Sequence, residues 1–296
     1  MTRLSFKRFS HIAEYGTLRA AQVLMSALPR SLALKGGALL GSGLYYAGVY
    51  RDVVRKNMEF VNLWPAGEQR RITWNLYRTM GRYAVDFLRG FPPLPRYTVV
   101  NGKVLDEALA KGKGVIILLG HFGNWELLAD IFGAKVPSLS VVAKPMRNRY
   151  VDRWLARKRD AASVHTIYVD NALRKIYEAL KKNGIVAILI DQHAGSQGTL
   201  VTFLGKETST IRTVAGLALK TGCAVLPTYA LLCSDGTYEI VLSEAPAPTV
   251  EGRSDEAVLA ECQSRHNAIL SAWVMHYPDH WFGWFHKRFK ESVRYD

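Results

Sequence analysis

The stretch Leu118-Leu119-Gly120-His121-Phe122-Gly123-Asn124-Trp125-Glu126-Leu127-Leu128 sets a histidine and a glutamate five positions apart between two apolar runs. A carboxylate that accepts from one imidazole nitrogen leaves the other free as a base and stabilises the imidazolium that forms. Such a pair activates a hydroxyl. On one continuous helix, positions five apart lie about 140° apart around the axis, so the side chains would not meet. Across a strand–turn–helix they can meet, with Gly123 supplying the bend. The local pattern favours that arrangement. Residues 115–119 are a short β-branched apolar run ended by Gly120, the signature of a buried strand. Residues 125–132 read as a helix with Asn124 as its N-cap. His121 then sits at the carboxyl end of a strand, where open α/β sheets place their ligands, and Glu126 falls in the first helical turn. The alternative for the same residues is a strand-end histidine that satisfies only local hydrogen bonds.

Other chemistry-bearing residues fall around this stretch. Asp191-Gln192 ends a second apolar run, 185–190, and a polar pair there can face the same crevice as His121. Asp191 is placed to hold a basic group or the backbone of the active-site loop. Residues 144–159 hold Lys144, Arg147, Arg149, Arg153, Arg157, Lys158 and Arg159 against the single inner acid Asp152. Arg149, Arg153 and Arg157 recur every fourth position and share a helix face. Arginine forks suit phosphate oxygens, although the same pattern describes a solvated face. Residues 196–211, rich in Gly, Ser and Thr around Phe203 and Gly205, suggest a substrate-binding or covering loop. The tail residues Trp281, Trp284, Phe285, His286 and Arg288 either meet a lipid–water boundary or pack on the core.

Several chemistries are disfavoured. Ser209 lacks a G-x-S-x-G elbow, which argues against an acyl-serine mechanism. His121 and Glu126 lack the H-E-x-x-H order of zinc hydrolases, and no metal site is expected. The three cysteines, Cys223, Cys233 and Cys262, are widely spaced without CxxC, which argues against a disulfide framework and fits a reducing compartment. The formal charge of +14 calls for an anionic partner. No finger spacing, RNP motif or Arg-rich helix singles out nucleic acid.

The elements that must position these residues change character along the chain. Residues 6–28, 31–50, 51–63 and 68–88 read as helices. The apolar stretch 36–50 is uncharged but only 15 residues long and carries five glycines, whereas a spanning helix needs about 20 residues. It is expected to pack on the domain as a helical hairpin or to lie in a membrane interface. No cleavable signal peptide is evident. Phe91-Pro92-Pro93-Leu94-Pro95 is a breaker. It suggests a helical, membrane-associated region over 1–95 and an α/β domain over 96–296. Beyond it, strands are expected at 115–119, 139–143, 164–169, 185–190, 224–232 and 237–242. Helices are expected at 104–110, 125–133, 148–161, 171–182, 211–221 and 254–276. This alternation predicts a mainly parallel central sheet flanked by helices.

Gly120-His121-Phe122-Gly123-Asn124-Trp125-Glu126 resembles the His-x4-acid motif of the lysophospholipid acyltransferase superfamily, and more closely that of the bacterial lipid A biosynthesis (late) acyltransferases. In order, Lys144-Pro145-Met146-Arg147-Asn148, Asp191-Gln192-His193-Ala194-Gly195, Val201-Thr202-Phe203-Leu204-Gly205 and the 281–288 tail resemble further segments of that family. The resemblance spans about residues 20–290 and implies a glycerol-3-phosphate acyltransferase-like fold. It implies transfer of a fatty acyl chain from acyl-carrier protein or acyl-CoA to a hydroxyl of a lipid A precursor or related glycolipid. No cofactor beyond that co-substrate is implied. His121 would be the general base and Glu126 its partner. Asn124, Lys144, Arg147, Asn148, Asp191, Gln192, Phe203 and Gly205 would contribute to substrate binding, with Arg147 or backbone donors holding the oxyanion. The implied partners are acyl-carrier protein, anionic membrane lipid and a phosphorylated glycolipid acceptor. The implied place is the cytoplasmic face of a bacterial inner membrane, held peripherally or by an interfacial anchor. Other acceptors (a phosphoinositide mannoside, an ornithine lipid, a lysophospholipid) keep the same chemistry; the Phe-Pro-Glu-Gly-Thr block of glycerophospholipid enzymes is absent. A non-catalytic membrane-binding homologue is the alternative of another class.

Overall fold

Short apolar runs alternating with amphipathic stretches bury a sheet between two helical layers, as this computed structural model shows for residues 3–90, 93–133, 135–136, 138–246 and 252–295. Four helices come first: α1 (Arg3–Ala27), α2 (Arg30–Tyr46), α3 (Arg51–Val61) and α4 (Ala66–Arg89). The α/β part runs β1 (Tyr97–Val100), α5 (Lys103–Ala110), β2 (Val115–Leu119), α6 (Trp125–Gly133), β3 (Leu139–Ala143), α7 (Arg149–Ala161), β4 (Val164–Tyr168), α8 (Ala172–Lys181) and β5 (Ile185–Leu189). It continues through β6 (Thr199–Phe203), β7 (Lys206–Thr210), α9 (Thr213–Thr221), β8 (Ala224–Leu232), β9 (Tyr238–Leu242) and α10 (Asp255–His276), and ends in short 3-10 turns over 278–285. Phe91 and Pro92 of the expected breaker lie outside the described residues.

Seven strands form one sheet in the order β1-β9-β8-β2-β5-β3-β4. The block β8-β2-β5-β3-β4 is parallel, β9 returns antiparallel on β8, and β1 pairs parallel with β9. Every position of β2 is buried, as the centre of a sheet covered on both faces requires. Alternation along the strand feeds two cores. Ile116 and Leu118 join Ile176, Val225 and Trp284 on one side; Val115, Ile117 and Leu119 join Leu127, Ile131 and Phe132 on the other. The expected strands and helices fall within a few residues of the observed ones. β1 was not expected: it is a four-residue edge strand, mostly exposed, and carries no alternation. The expected covering loop over 196–211 is instead the antiparallel hairpin β6–β7. Leu204 and Gly205 (φ 50° and 73°) make its two-residue turn, the left-handed pair that matches strand twist.

The helical region is joined to the sheet by buried polar groups. Asp86 of α4 accepts from Arg30 Nε and Nη2 (2.8 and 2.7 Å) and from the Tyr238 hydroxyl of β9 (2.8 Å). Asn57 of α3 donates to the carbonyls of Trp284 and His286 at 2.8 and 2.9 Å. α2 lies against α4 by backbone contact. A Cβ on Gly37 would stand 2.5 Å from the Gly81 carbonyl oxygen, and one on Gly41 would stand 2.1 Å from that of Tyr77. Small residues at i and i+4 let two helices approach this closely. The outer face of α2 instead exposes Leu32, Leu39, Leu40, Leu44 and Tyr46.

Gly43 of the same helix has open space where a Cβ would go. Gly41→Ala is therefore expected to destabilise by about 1–3 kcal/mol through overpacking. Gly43→Ala should be neutral or stabilising by about 0.5–1 kcal/mol, as for any exposed helical glycine. Denaturant unfolding of the two variants checks the contrast; equal effects would contradict the packing.

Candidate active site

β2 and β5 are adjacent and parallel, with Leu119 paired to Leu189. Two residues beyond each strand end lie His121 and Asp191, so register alone brings them side by side. The Asp191 carboxylate accepts three hydrogen bonds: His121 Nδ1 at 2.8 Å, the His121 backbone N–H at 2.7 Å and Trp281 Nε1 at 2.7 Å. Its side chain has no solvent exposure. Burial alone would raise its pKa. The neighbouring His121 and the three donors outweigh burial and hold the carboxyl well below the usual carboxylate range. A carboxylate can only accept, so the Nδ1 of a neutral His121 carries the proton and Nε2 keeps its lone pair.

The loop around His121 is clamped from two sides. Gly123 (φ 64°) turns the chain so closely under β8 that a Cβ would meet the Ala230 carbonyl oxygen at 2.2 Å. Asn124 N–H donates to that same carbonyl at 2.8 Å. The tail closes the other side: Gly123 N–H donates to the His280 carbonyl (2.9 Å) and Phe282 N–H to the His121 carbonyl (2.8 Å). A Cβ on Gly120 would stand 3.0 Å from a Leu270 methyl and 3.4 Å from Asp191 Oδ2, a tight fit beside the carboxylate.

His121 opens into a cleft of about 390 Å³, which Trp125, Glu126, Lys144, Arg159, Gln192, Phe282 and His286 help to line. Gln192 Nε2 lies 3.4 Å from His121 Nε2. The His286 ring stands 5.4 Å from that of His121, and burial, then the nearby His121, lower its pKa, which favours a neutral imidazole. Glu126 reaches the cleft, but its hydrogen-bonded partner is Arg159 of α7 (2.8 Å). One turn on, Asp130 takes Lys158 at 3.0 Å. These two ion pairs, each side chain at most 18% exposed, clasp α6 to α7. The carboxylate against His121 is thus Asp191, where the sequence spacing pointed to Glu126. The strand register places Asp191 there, while Glu126 in the first turn of α6 faces the cations of α7.

The remaining expected site residues separate into two groups. Lys144 and Gln192 line the cleft with His121 and Glu126. Asn124 is 4% exposed, caps α6 through Leu127 N–H (3.2 Å) and donates to the Tyr238 hydroxyl (2.9 Å). Asn148 caps α7 and donates to α1 at the His11 carbonyl and Glu14. Arg147 is exposed and is not on the cleft wall. Phe203 is buried between Trp281 and Phe289, and Gly205 turns the hairpin. Neither reaches the cleft.

The tail proves to be core: Trp281, Trp284, Arg288 and Phe289 are at most 1% exposed. Arg288 donates to the carbonyls of Gln192 (2.6 Å) and Ser209 (2.7 Å) and to the Thr210 hydroxyl (2.7 Å). Burial lowers its pKa to about 10 despite the nearby Asp191 and Glu291. It pins the segment after Asp191 to the hairpin. Arg288 and Trp281 are the supporting residues whose roles the sequence did not disclose; a buried indole and guanidinium looked equally suited to a lipid boundary.

The profile of the bacterial lipid A biosynthesis acyltransferases matches residues 6–291. The chain belongs to that family. Among characterised relatives, it is similar to two phosphatidylinositol mannoside acyltransferases of Mycobacterium tuberculosis (strains CDC 1551 / Oshkosh and ATCC 25618 / H37Rv). Each is 26% identical over 129 residues, 42% of this chain and 41% of the relative. A Mycolicibacterium smegmatis protein of the same description is 23% identical over 142 residues, 47% of each chain. The chain thus spans less than half the length of the curated relatives it matches.

Two expectations test the site's construction. In a double-mutant cycle, Glu126→Gln and Arg159→Met should show a coupling of about 1–3 kcal/mol; a value near zero would remove the α6–α7 clasp. Asp191, with its lowered pKa, contributes stability that is present at neutral pH. That stability is lost as pH falls through the usual carboxylate range toward the folded value. Acid unfolding of Asp191→Asn should therefore be less steep than that of the parent.

Proposed function

We propose that this protein moves a fatty acyl chain from a thioester to a hydroxyl of a glycolipid. The observation that carries the reading is the His121–Asp191 pair at the strand ends, with His121 on the wall of a cleft and the Gln192 amide beside its Nε2. Nε2 takes the acceptor's hydroxyl proton as its oxygen bonds to the thioester carbonyl carbon. The resulting tetrahedral oxyanion collapses, the carbon–sulfur bond breaks, and the imidazolium returns the proton to the departing thiolate. Asp191 fixes the tautomer and stabilises the imidazolium. The amide of Gln192 is a neutral donor beside the reacting position. Glu126 acts through Arg159, holding α6 and α7 in place so that the cleft keeps its shape.

Family membership supports a lipid A precursor as acceptor, and the mycobacterial relatives support a mannosylated phosphoinositide; both are sugar hydroxyls on anionic lipids. Acyl-carrier protein is the favoured donor: the charge of +14 and the exposed Arg149, Arg153 and Arg157 of α7 suit an acidic protein. No described helix is long and apolar enough to cross a membrane. The exposed apolar residues of α1 and α2 (Val23, Leu24, Leu39, Leu40 and Leu44 among them) suit an interfacial position at the inner membrane.

Incubation with acyl-carrier thioesters of several chain lengths and each glycolipid, read by product mass, tests this directly. One added acyl group is expected on one acceptor. His121→Ala should lower the rate roughly 10²–10⁴-fold and Asp191→Asn by a comparable factor. Glu126→Gln should cost less in rate at temperatures where it stays folded. Full activity of folded His121→Ala would overturn the mechanism.

A further inference from the structure

The ends of α2, α3 and α4 line a second, open cavity of about 670 Å³ that shares no residue with the His121 cleft. We propose that it binds the phosphodiester headgroup of an anionic phospholipid, separate from the acceptor in the catalytic cleft.

Charge on its walls is the first argument. Arg51, Arg55 and Arg70 line it against one carboxylate, Glu59. Arg55 is already neutralised by Glu59 (2.9 Å) and Asp52 (2.5 Å). Arg51 lies over the Tyr45 ring, 5.6 Å from its centroid, and makes a 3.4 Å contact with the Tyr45 carbonyl. Arg70 has no hydrogen-bond or ion-pair partner among the described residues. Two guanidiniums therefore face the cavity without a carboxylate of their own. The first turn of α4, a 24-residue helix begun by Pro65 and Ala66 without a side-chain cap, adds the positive end of its dipole.

The surroundings specify a lipid. Exposed Val49 and Tyr50 immediately precede Arg51, and exposed Leu63 precedes Trp64, which also lines the cavity. The apolar stripe of α2, Leu39, Leu40, Leu44 and Tyr46, runs up to the same end. A phosphate held by Arg51 and Arg70 would leave acyl chains beside that stripe. A soluble phosphate would have no use for it.

The experiment reads binding to vesicles, so it stands apart from turnover at His121. Full-length protein is floated with vesicles of phosphatidylcholine alone or with 30% phosphatidylglycerol, about the anionic content of a strongly charged bilayer. The parent should favour the anionic vesicles. Arg51→Ala/Arg70→Ala should lose at least fivefold of that preference, while Arg153→Ala/Arg157→Ala on α7 should lose less than twofold. These side chains are exposed, so both variants should keep the parent's thermal unfolding. Equal losses in the two double variants would reduce the effect to diffuse charge and overturn the site. So would stabilisation of the vesicle-free parent, but not of Arg51→Ala/Arg70→Ala, by inorganic phosphate, which would assign the cavity to a soluble ion. Native mass spectrometry should find phospholipid retained by the parent and lost from Arg51→Ala/Arg70→Ala; unchanged retention would also refute the proposal.

Discussion

A single buried carboxylate organises the carboxyl end of the parallel sheet. Asp191 has no exposure, yet it is ionised because three donors meet it: an imidazole, a backbone amide and an indole. They come from two places in the chain, the loop after β2 and the carboxyl-terminal tail, and converge on the residue that follows β5. An unpaired buried carboxylate would be strongly destabilising, so these segments are held together by the need to satisfy it. The same bonds orient the His121 ring. Structural and chemical demands on Asp191 are therefore one demand.

From this pairing the rest of the architecture follows in layers. The tail must reach Asp191, so it crosses the sheet end and is buried, and Asn57 and Arg288 satisfy its carbonyl-rich surroundings. α3 and α4 pack on that tail, which makes the helical region part of the support of the site. α2 in turn rests on α4 through Gly37, Gly41 and Gly81. Because backbone shape makes that contact, α2 is free to turn its larger apolar side chains outward. A helix that is small-sided within and leucine-rich without is suited to lipid rather than to water.

Much of this was legible in the residues. Five-residue apolar runs ended by polar or glycine residues gave the central strands, and Gly120, Gly123 and Asn124 marked the strand–turn–helix that presents His121. The partner of His121 was misplaced for a physical reason. Spacing along the chain reports local neighbours, and Glu126 is a local neighbour; Asp191 lies 70 residues away and is brought in by strand pairing. The signal was nonetheless present, since each apolar run, 115–119 and 185–190, is followed within two residues by a polar side chain, and parallel adjacent strands would align them. That adjacency was the missing fact. The hairpin over 199–210 was hidden by its polar composition: the Thr208 and Thr210 hydroxyls bond Arg288, and the Ser209 hydroxyl donates to the Gly195 carbonyl, rather than filling an apolar core.

The clamp formed by residues 280–282 has a consequence for biosynthesis. His121 leaves the ribosome long before Trp281. Until the tail docks, His121 and Asp191 stand without the indole donor and without the second wall of their loop. The finished geometry of the pair therefore depends on a segment made long after His121 itself.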